Sequence, residues 1–184
     1  RGFLLYSQEK AVNRDKYRIN ISRTSEEMKI DGILDEESWQ NSEQAENFIR
    51  VTPVDTGFAV AQTTVLITYD KTNLYVGAIC YDPTPGKRPV ESLRRDFEFG
   101  KNDNFRVHID TYNNFTNGFA FGVSAAGAQA DGVINNGNQA SFTWDIKWRS
   151  SVKSYDDRWV AEMAIPFRSL RYFGGEKEWG VNFG

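Results

Sequence analysis

Cysteine and histidine are almost absent from this chain. Cys80 and His108 are the only residues of their types. A single cysteine excludes a disulfide framework and a cysteine-rich zinc site. A single histidine leaves little for zinc ligation or for a Ser-His-Asp triad. No apolar run reaches the ~18 residues of a membrane-spanning helix, and no series of spanning strands is visible. Basic runs stop at Arg94-Arg95 and the formal charge is −3, which argues against a nucleic-acid partner. The glycine patterns of phosphate and dinucleotide loops do not occur, nor does a G-x-S-x-G elbow.

What is present suits one soluble, folded domain. A length of 184 residues supports a proper core, and 40% hydrophobic with 26% charged residues is an ordinary globular balance. Aromatic residues, at 14%, suit a β-rich core or a stacking surface. Arg1 is not an initiator methionine, and the alternation of Trp179, Val181 and Phe183 stops at Gly184. Both features lead us to expect a piece of a longer polypeptide. Residues 1–27 read as a lead-in or docking arm, with a possible edge strand at Tyr17, Ile19 and Ile21. Residues 28–184 read as the module itself.

The most ordered text is residues 144–172, WDIKWRSSVKSYDDRWVAEMAIPFRSLRY. Trp144, Ile146 and Trp148 alternate with Asp145, Lys147 and Arg149, as on a strand. Asp156-Asp157 suits a hairpin tip, and Trp159, Ala161, Met163 and Ile165 alternate on the return. Pro166 should end that strand, and one short helical turn should bring Phe167 and Leu170 to the core. Earlier in the chain, Met28-Lys29-Ile30 reads as a short strand. Asp35 reads as N-cap of a helix over 36–42, with Trp39 closing one end of the fold. Strands are expected at 48–51, 60–69, 74–81, 103–110, 118–123 and 129–133. Residues 82–100 are proline-rich loop, and Asn135-Asn136-Gly137-Asn138 is a turn. Cys80 reads as a small core residue. Short alternating strands with one short helix predict an all-β, antiparallel immunoglobulin-like or jelly-roll β-sandwich.

These motifs carry a resemblance. Ile30 to Trp39 matches I-D-G-x-x-D-E-x-x-W at every specified position. T-x-V-x-I-T-Y-D-x-x-x-L-Y-V and W-x-x-E-x-A-I-P-F-x-S-L follow in order. Together they resemble the carbohydrate-binding module family 9-like domains, β-sandwiches related to the DOMON group. Within these, Arg94-Arg95-Asp96, Gln129-Ala130-Asp131-Gly132 and W-D-x-K-W at 144–148 are most similar to the subgroup that precedes an outer-membrane β-barrel in Gram-negative bacteria. The resemblance implies a non-catalytic, glycan-binding module of the cell envelope, periplasmic or outer-membrane-associated. Alternatively, it implies an accessory domain that contacts a barrel or another envelope protein. The sugar-binding members' tryptophan falls at Gly100 here and their glutamate at Arg106, so that pair is not carried over.

Candidate ligand-binding residues are then Trp144 and Tyr112 as stacking rings, with Arg94, Arg95, Asp96, Asp131 and Asp145 as polar groups. Trp148 and Trp159 read as core, and Phe142 is a further exposed-ring candidate. No cofactor is expected. Asp103, Asp110, Asp131 and Asp145, at strand ends and turns, could bind Ca²⁺, or could cap turns and pair with arginine. Glu162 is a carboxylate of the type glycosidases use, but its strand position suggests a paired group. The proline-rich loop should fold over one sandwich face, with its arginines reaching Asp131 and Asp145.

Overall fold

The computed structural model describes residues 17–49, 57–83, 88–89, 91–137, 139–175 and 178–184. They form an antiparallel β-sandwich of two five-stranded sheets. The first sheet has the order β1 (Gln44–Ala45), β2 (Thr63–Tyr69), β3 (Asn73–Tyr81), β9 (Arg158–Pro166), β8 (Arg149–Ser154). The second has the order β10 (Gly180–Phe183), β4 (Asn104–Asp110), β5 (Gly118–Ser124), β6 (Gln129–Asn135), β7 (Gln139–Ser141).

Alternation sets which side chains meet between the sheets. Val65, Ile67, Leu74, Val76, Trp159, Ala161, Met163 and Ile165 pack from the first sheet against Phe105, Val107, Ile109, Phe119, Phe121 and Val123 from the second. Pro166 ends β9, and the 3-10 turn Phe167–Ser169 delivers Leu170 to this core. Cys80 packs against the same core, and burial pushes its thiol up to about 12, as for an unreactive side chain.

The first sheet is covered on its outer face as well. Met28, Trp39, Leu66, Tyr75 and Ala164 form a second cluster there, joined by Ile30 and Leu34. Trp39 therefore does not close an end of the sandwich, as its position in the sequence suggested; it packs over the outer face of the sheet, 3.5 Å from where a Cβ on Gly77 would stand. Glu162 holds this cover down. Its Oε2 accepts the backbone N–H groups of Asp31 and Gly32 at 2.9 and 3.0 Å. Gly32 has φ +85°, and a Cβ there would stand only 3.0 Å from the Lys153 backbone N. The I-D-G turn and the glutamate of W-x-x-E are thus two halves of one contact.

Several local expectations were displaced. The helix is a single turn, α1 (Glu37–Gln40), with Glu36 rather than Asp35 at its N-cap. Residues 28–30 are not a strand, because their backbone follows the helix cover rather than a sheet edge. Residues 17–22 form no strand either. Instead the Thr24 N–H reaches the Tyr69 carbonyl at 2.8 Å, and Thr68 Oγ1 reaches the Ser22 carbonyl at 2.8 Å, docking the arm beside β2. At 48–51, Ile49 makes an isolated bridge to Phe58, and residues 50–51 lie outside the described residues, as does the lead-in over 1–16.

Two measurements test this architecture. Ile165 is fully buried, so Ile165→Ala should lower unfolding stability by about 2–5 kcal/mol in urea denaturation. Burial pushes the Glu162 carboxyl from 4.5 to about 7, against the pull of the Gly32 and Asp31 N–H groups. The charged form is the disfavoured one in the fold. The contribution of this group to stability is therefore greatest below pH 4.5, falls as pH rises, and levels off above about 7. Glu162→Gln should flatten that slope, and an unchanged slope would exclude Glu162 as its source.

Candidate functional site

The segment 144–148 explains how the sandwich rim is built. Its alternation is real: Trp144, Ile146 and Trp148 pack on the core, while Asp145 and Lys147 are exposed. The expected strand there does not form, and β8 begins only at Arg149. The reason lies in hydrogen bonding. The chain is crossing from one sheet to the other, and side chains replace a neighbouring strand. Asp131 Oδ2 accepts the Ile146 N–H at 3.0 Å, and Arg95 Nη2 donates to the Ile146 carbonyl at 2.9 Å. Gln129 Nε2 donates to Ser150 Oγ at 2.8 Å.

Asp131 is fully buried, on the inward side of β6 opposite Phe121. Its Oδ1 pairs with Arg95 and accepts Trp148 Nε1 at 3.2 Å. Burial pushes this carboxyl upward, opposed by the Trp148 and Ile146 donors and by the Arg95 charge. Arg95 also donates to Gln129 Oε1 at 3.1 Å and pairs with Asp145 at 2.7 Å. Three sequence motifs, R-R-D, Q-A-D-G and W-D-x-K-W, therefore meet in one network. It anchors the proline-rich loop, and Asn102 stitches that loop internally by accepting the Glu91 N–H at 2.8 Å.

The other expected site residues are placed differently. Arg94 does not reach a carboxylate: it is exposed and joins no ion pair among the described residues, because its neighbour Arg95 takes the inward position. Asp96 is exposed with φ 56°, and serves through its backbone N–H, which donates to the Gln129 carbonyl at 2.9 Å. Tyr112 packs edge-on against Phe173 at the β4–β5 turn, making no contact with the Arg95 network among the described residues. Trp144 is half-buried against Phe119 and Phe121. Asp110 caps its turn by accepting the Tyr112 and Phe115 N–H groups at 3.0 and 2.7 Å. Asp103 is half-buried, and burial together with Asp82 raises its carboxyl. Among the described residues no three His, Cys, Asp or Glu side chains gather as for a metal ion.

A different surface carries Phe142, which the sequence offered as an exposed ring, together with residues that the sequence reading did not join to it. The outward side of the second sheet presents Arg106 and His108 on β4, Ala120 and Gly122 on β5, and Ala130 and Gly132 on β6. These small residues make room for aromatic rings. A Cβ on Gly122 would meet the Phe99 ring at 2.8 Å, and one on Gly132 would meet Phe142 at 3.2 Å. Phe99 and Phe142 lie 5.5 Å apart, with Phe97 behind Phe99 at 4.9 Å. The Arg106 guanidinium stacks over Phe99 at 4.9 Å. Burial, and then Arg106, lower the His108 pKa, which keeps the imidazole neutral at neutral pH. Phe99 is the neighbour of Gly100, so a ring stands beside the position where the family's tryptophan would fall. The available signal was glycine at outward positions in otherwise regular strands.

Comparison with known proteins places the fold. A carbohydrate binding module family 9 from Caldicellulosiruptor kristjanssonii, solved in complex with cellotriose, superposes with a TM-score of 0.58 at 17% identity, over 90% of this chain and 74% of that one. The same family's structure from that organism in complex with glucose gives 0.58 at 16% identity, over 89% and 75%. A candidate carbohydrate-binding protein from Bacteroides uniformis ATCC 8492 gives 0.60 at 9% identity, over 78% and 71%. The fold is that of the family 9 carbohydrate-binding modules. No family model matches the sequence, and none of the curated proteins does.

The two carboxylates of the rim should behave differently. Asp131→Ala removes the acceptor for Arg95, Ile146 and Trp148 inside the protein, and should lower stability by roughly 3 kcal/mol. Asp145 is 68% exposed, so Asp145→Asn should cost under about 1 kcal/mol, and less at high salt. Equal losses in denaturant melts would contradict this division.

Proposed function

We propose that this chain is a non-catalytic glycan-binding module carried by a secreted or outer-membrane-associated protein. The observation that carries this reading is the aromatic and polar outward side of the second sheet. Phe99 and Phe142 are laid on glycines, with Arg106 and His108 beside them. Flat rings offer a π-surface to the C–H face of a sugar, and fixed polar groups beside them orient its hydroxyls. The same sandwich occurs in modules solved with cellotriose and glucose, which supports the reading by analogy of fold. The buried carboxylates, of the type that glycosidases use, are committed elsewhere. Glu162 holds a backbone turn and Asp131 holds Arg95.

A second reading is protein contact, with an adjoining barrel or another envelope protein as partner. It draws on Ile49, Phe58 and Val60, which are 50, 62 and 77% exposed around one bridge.

Titration calorimetry with neutral β-linked and acidic oligosaccharides distinguishes the two. Binding is expected, and Phe99→Ala should weaken the interaction made on this face by about tenfold, or ~1.4 kcal/mol. Arg106→Ala should act in the same direction, with circular dichroism unchanged. Absence of binding across both glycan classes would remove the first reading and favour the second.

A further inference from the structure

At one end of the first sheet lies an open cleft of about 580 Å³. Four segments bring a cation to it. Lys71 comes from the β2–β3 turn, Lys147 from the crossing segment, Arg149 from the start of β8, and Arg168 from the 3-10 turn after Pro166. All four are exposed, and no carboxylate is among the described residues that line the cleft. Five cations elsewhere are paired: Arg18 with Glu178, Arg88 with Asp82, Arg95 with Asp131 and Asp145, Lys101 with Glu91 and Glu98, and Arg158 with Asp157. Among the described residues none of the four cleft cations forms such a pair. The nearest carboxylate in sequence, Asp70, is occupied: its Oδ1 accepts the Thr72 and Asn73 N–H groups at 2.6 and 2.7 Å, and its Oδ2 accepts the Tyr75 hydroxyl at 2.9 Å.

Grouping four like charges on a chain of net charge −3 is unfavourable without a counter-charge. The supports are firm nonetheless. Lys147 projects from the segment stitched by Asp131 and Arg95, and Arg168 follows the strand-ending proline. Tyr172 also borders the cleft. Its ring is 45% exposed and is backed by Phe167 at 6.2 Å and Trp179 at 5.4 Å. A cationic rim beside a braced, partly open aromatic ring matches a sugar that carries an acidic group.

We infer that this cleft binds the carboxylate or sulfate groups of an anionic glycan, with Tyr172 as the stacking ring. The inference rests on the glycan-binding reading above and adds the substrate class and a second site, apart from the Phe99 surface. Lys147 and Arg168 are exposed and form no ion pair among the described residues, so their removal should leave the fold intact.

The test is calorimetry on the intact chain with three oligosaccharides of equal length: a neutral glucan, a uronate oligomer and a sulfated oligomer. At low salt at least one acidic oligomer should bind roughly tenfold more tightly than the neutral one, with the advantage shrinking as salt rises. The double variant Lys147→Ala/Arg168→Ala should abolish that advantage and leave neutral binding unchanged, and Lys147→Arg should retain it. Tyr172→Ala should weaken acidic binding about tenfold at any salt. The uronate and sulfate arms identify which acidic group is preferred. Equal binding of neutral and acidic oligomers, unaffected by the double variant, would overturn the cleft assignment while leaving glycan binding standing. Tight binding of a poly-glutamate peptide through the same residues would overturn the glycan as occupant. No binding to any of the three would overturn both readings.

Discussion

A sheet edge without a neighbouring strand has to satisfy its polar groups in another way. On β6 the partner strand β7 pairs only with Val133, Ile134 and Asn135. Over the remainder, the Asp96 backbone N–H meets the edge at the Gln129 carbonyl, and the crossing segment beside it is held by side chains, above all the buried carboxylate of Asp131. That group is buried, charged and bonded to three donors, and the arrangement around it follows from this. Arg95 must come inward to balance it, so the loop must fold over the rim. The crossing segment must keep an extended path, so its two tryptophans face the core and Lys147 faces outward. The cationic cleft owes one of its four charges to that path.

The opposite face uses the same device. Glu162 is a charged residue within a buried strand, and its carboxylate fastens the Asp31-Gly32 turn and with it the Trp39 cover. Its Oε1 makes no hydrogen bond, and Trp39 Nε1 lies near it without closing one. Burial raises its pKa, and the nearby Glu36 charge adds to the rise. Both buried carboxylates join parts of the chain far apart in sequence. Both are better understood as fasteners than as reactive groups.

For function, this leaves the exposed surfaces. The outward side of the second sheet is aromatic at its centre, because glycines admit the rings, and it is polar along β4. The cleft at the end of the first sheet is cationic and aromatic. The two surfaces lie on different sheets and offer different chemistry, one suited to a sugar ring and the other to an acidic substituent. A module with both could hold a glycan bearing occasional charges at more than one point along its length.

The sequence by itself determined the sandwich, its longer strands and their inward faces, because alternation, turn residues and strand-ending prolines act over a few residues at a time. It also carried the pairing of Arg95 with Asp131 and Asp145, since a proline-rich loop with arginines needs an anchor. Where reading failed, the deciding contact was distant. Alternation at 144–148 signalled a strand, yet Asp131 and Gln129 side chains took the place of a ladder. Trp39 was placed by Glu162, more than a hundred residues away, and Arg94 was left in solvent because Arg95 took the single inward position. Phe99 and Phe142 became neighbours only through glycines on two strands, and the four cleft cations only through the ends of four segments. Local propensity cannot encode such meetings. They depend on which strands become adjacent and in which register, and that is settled when the two sheets pack.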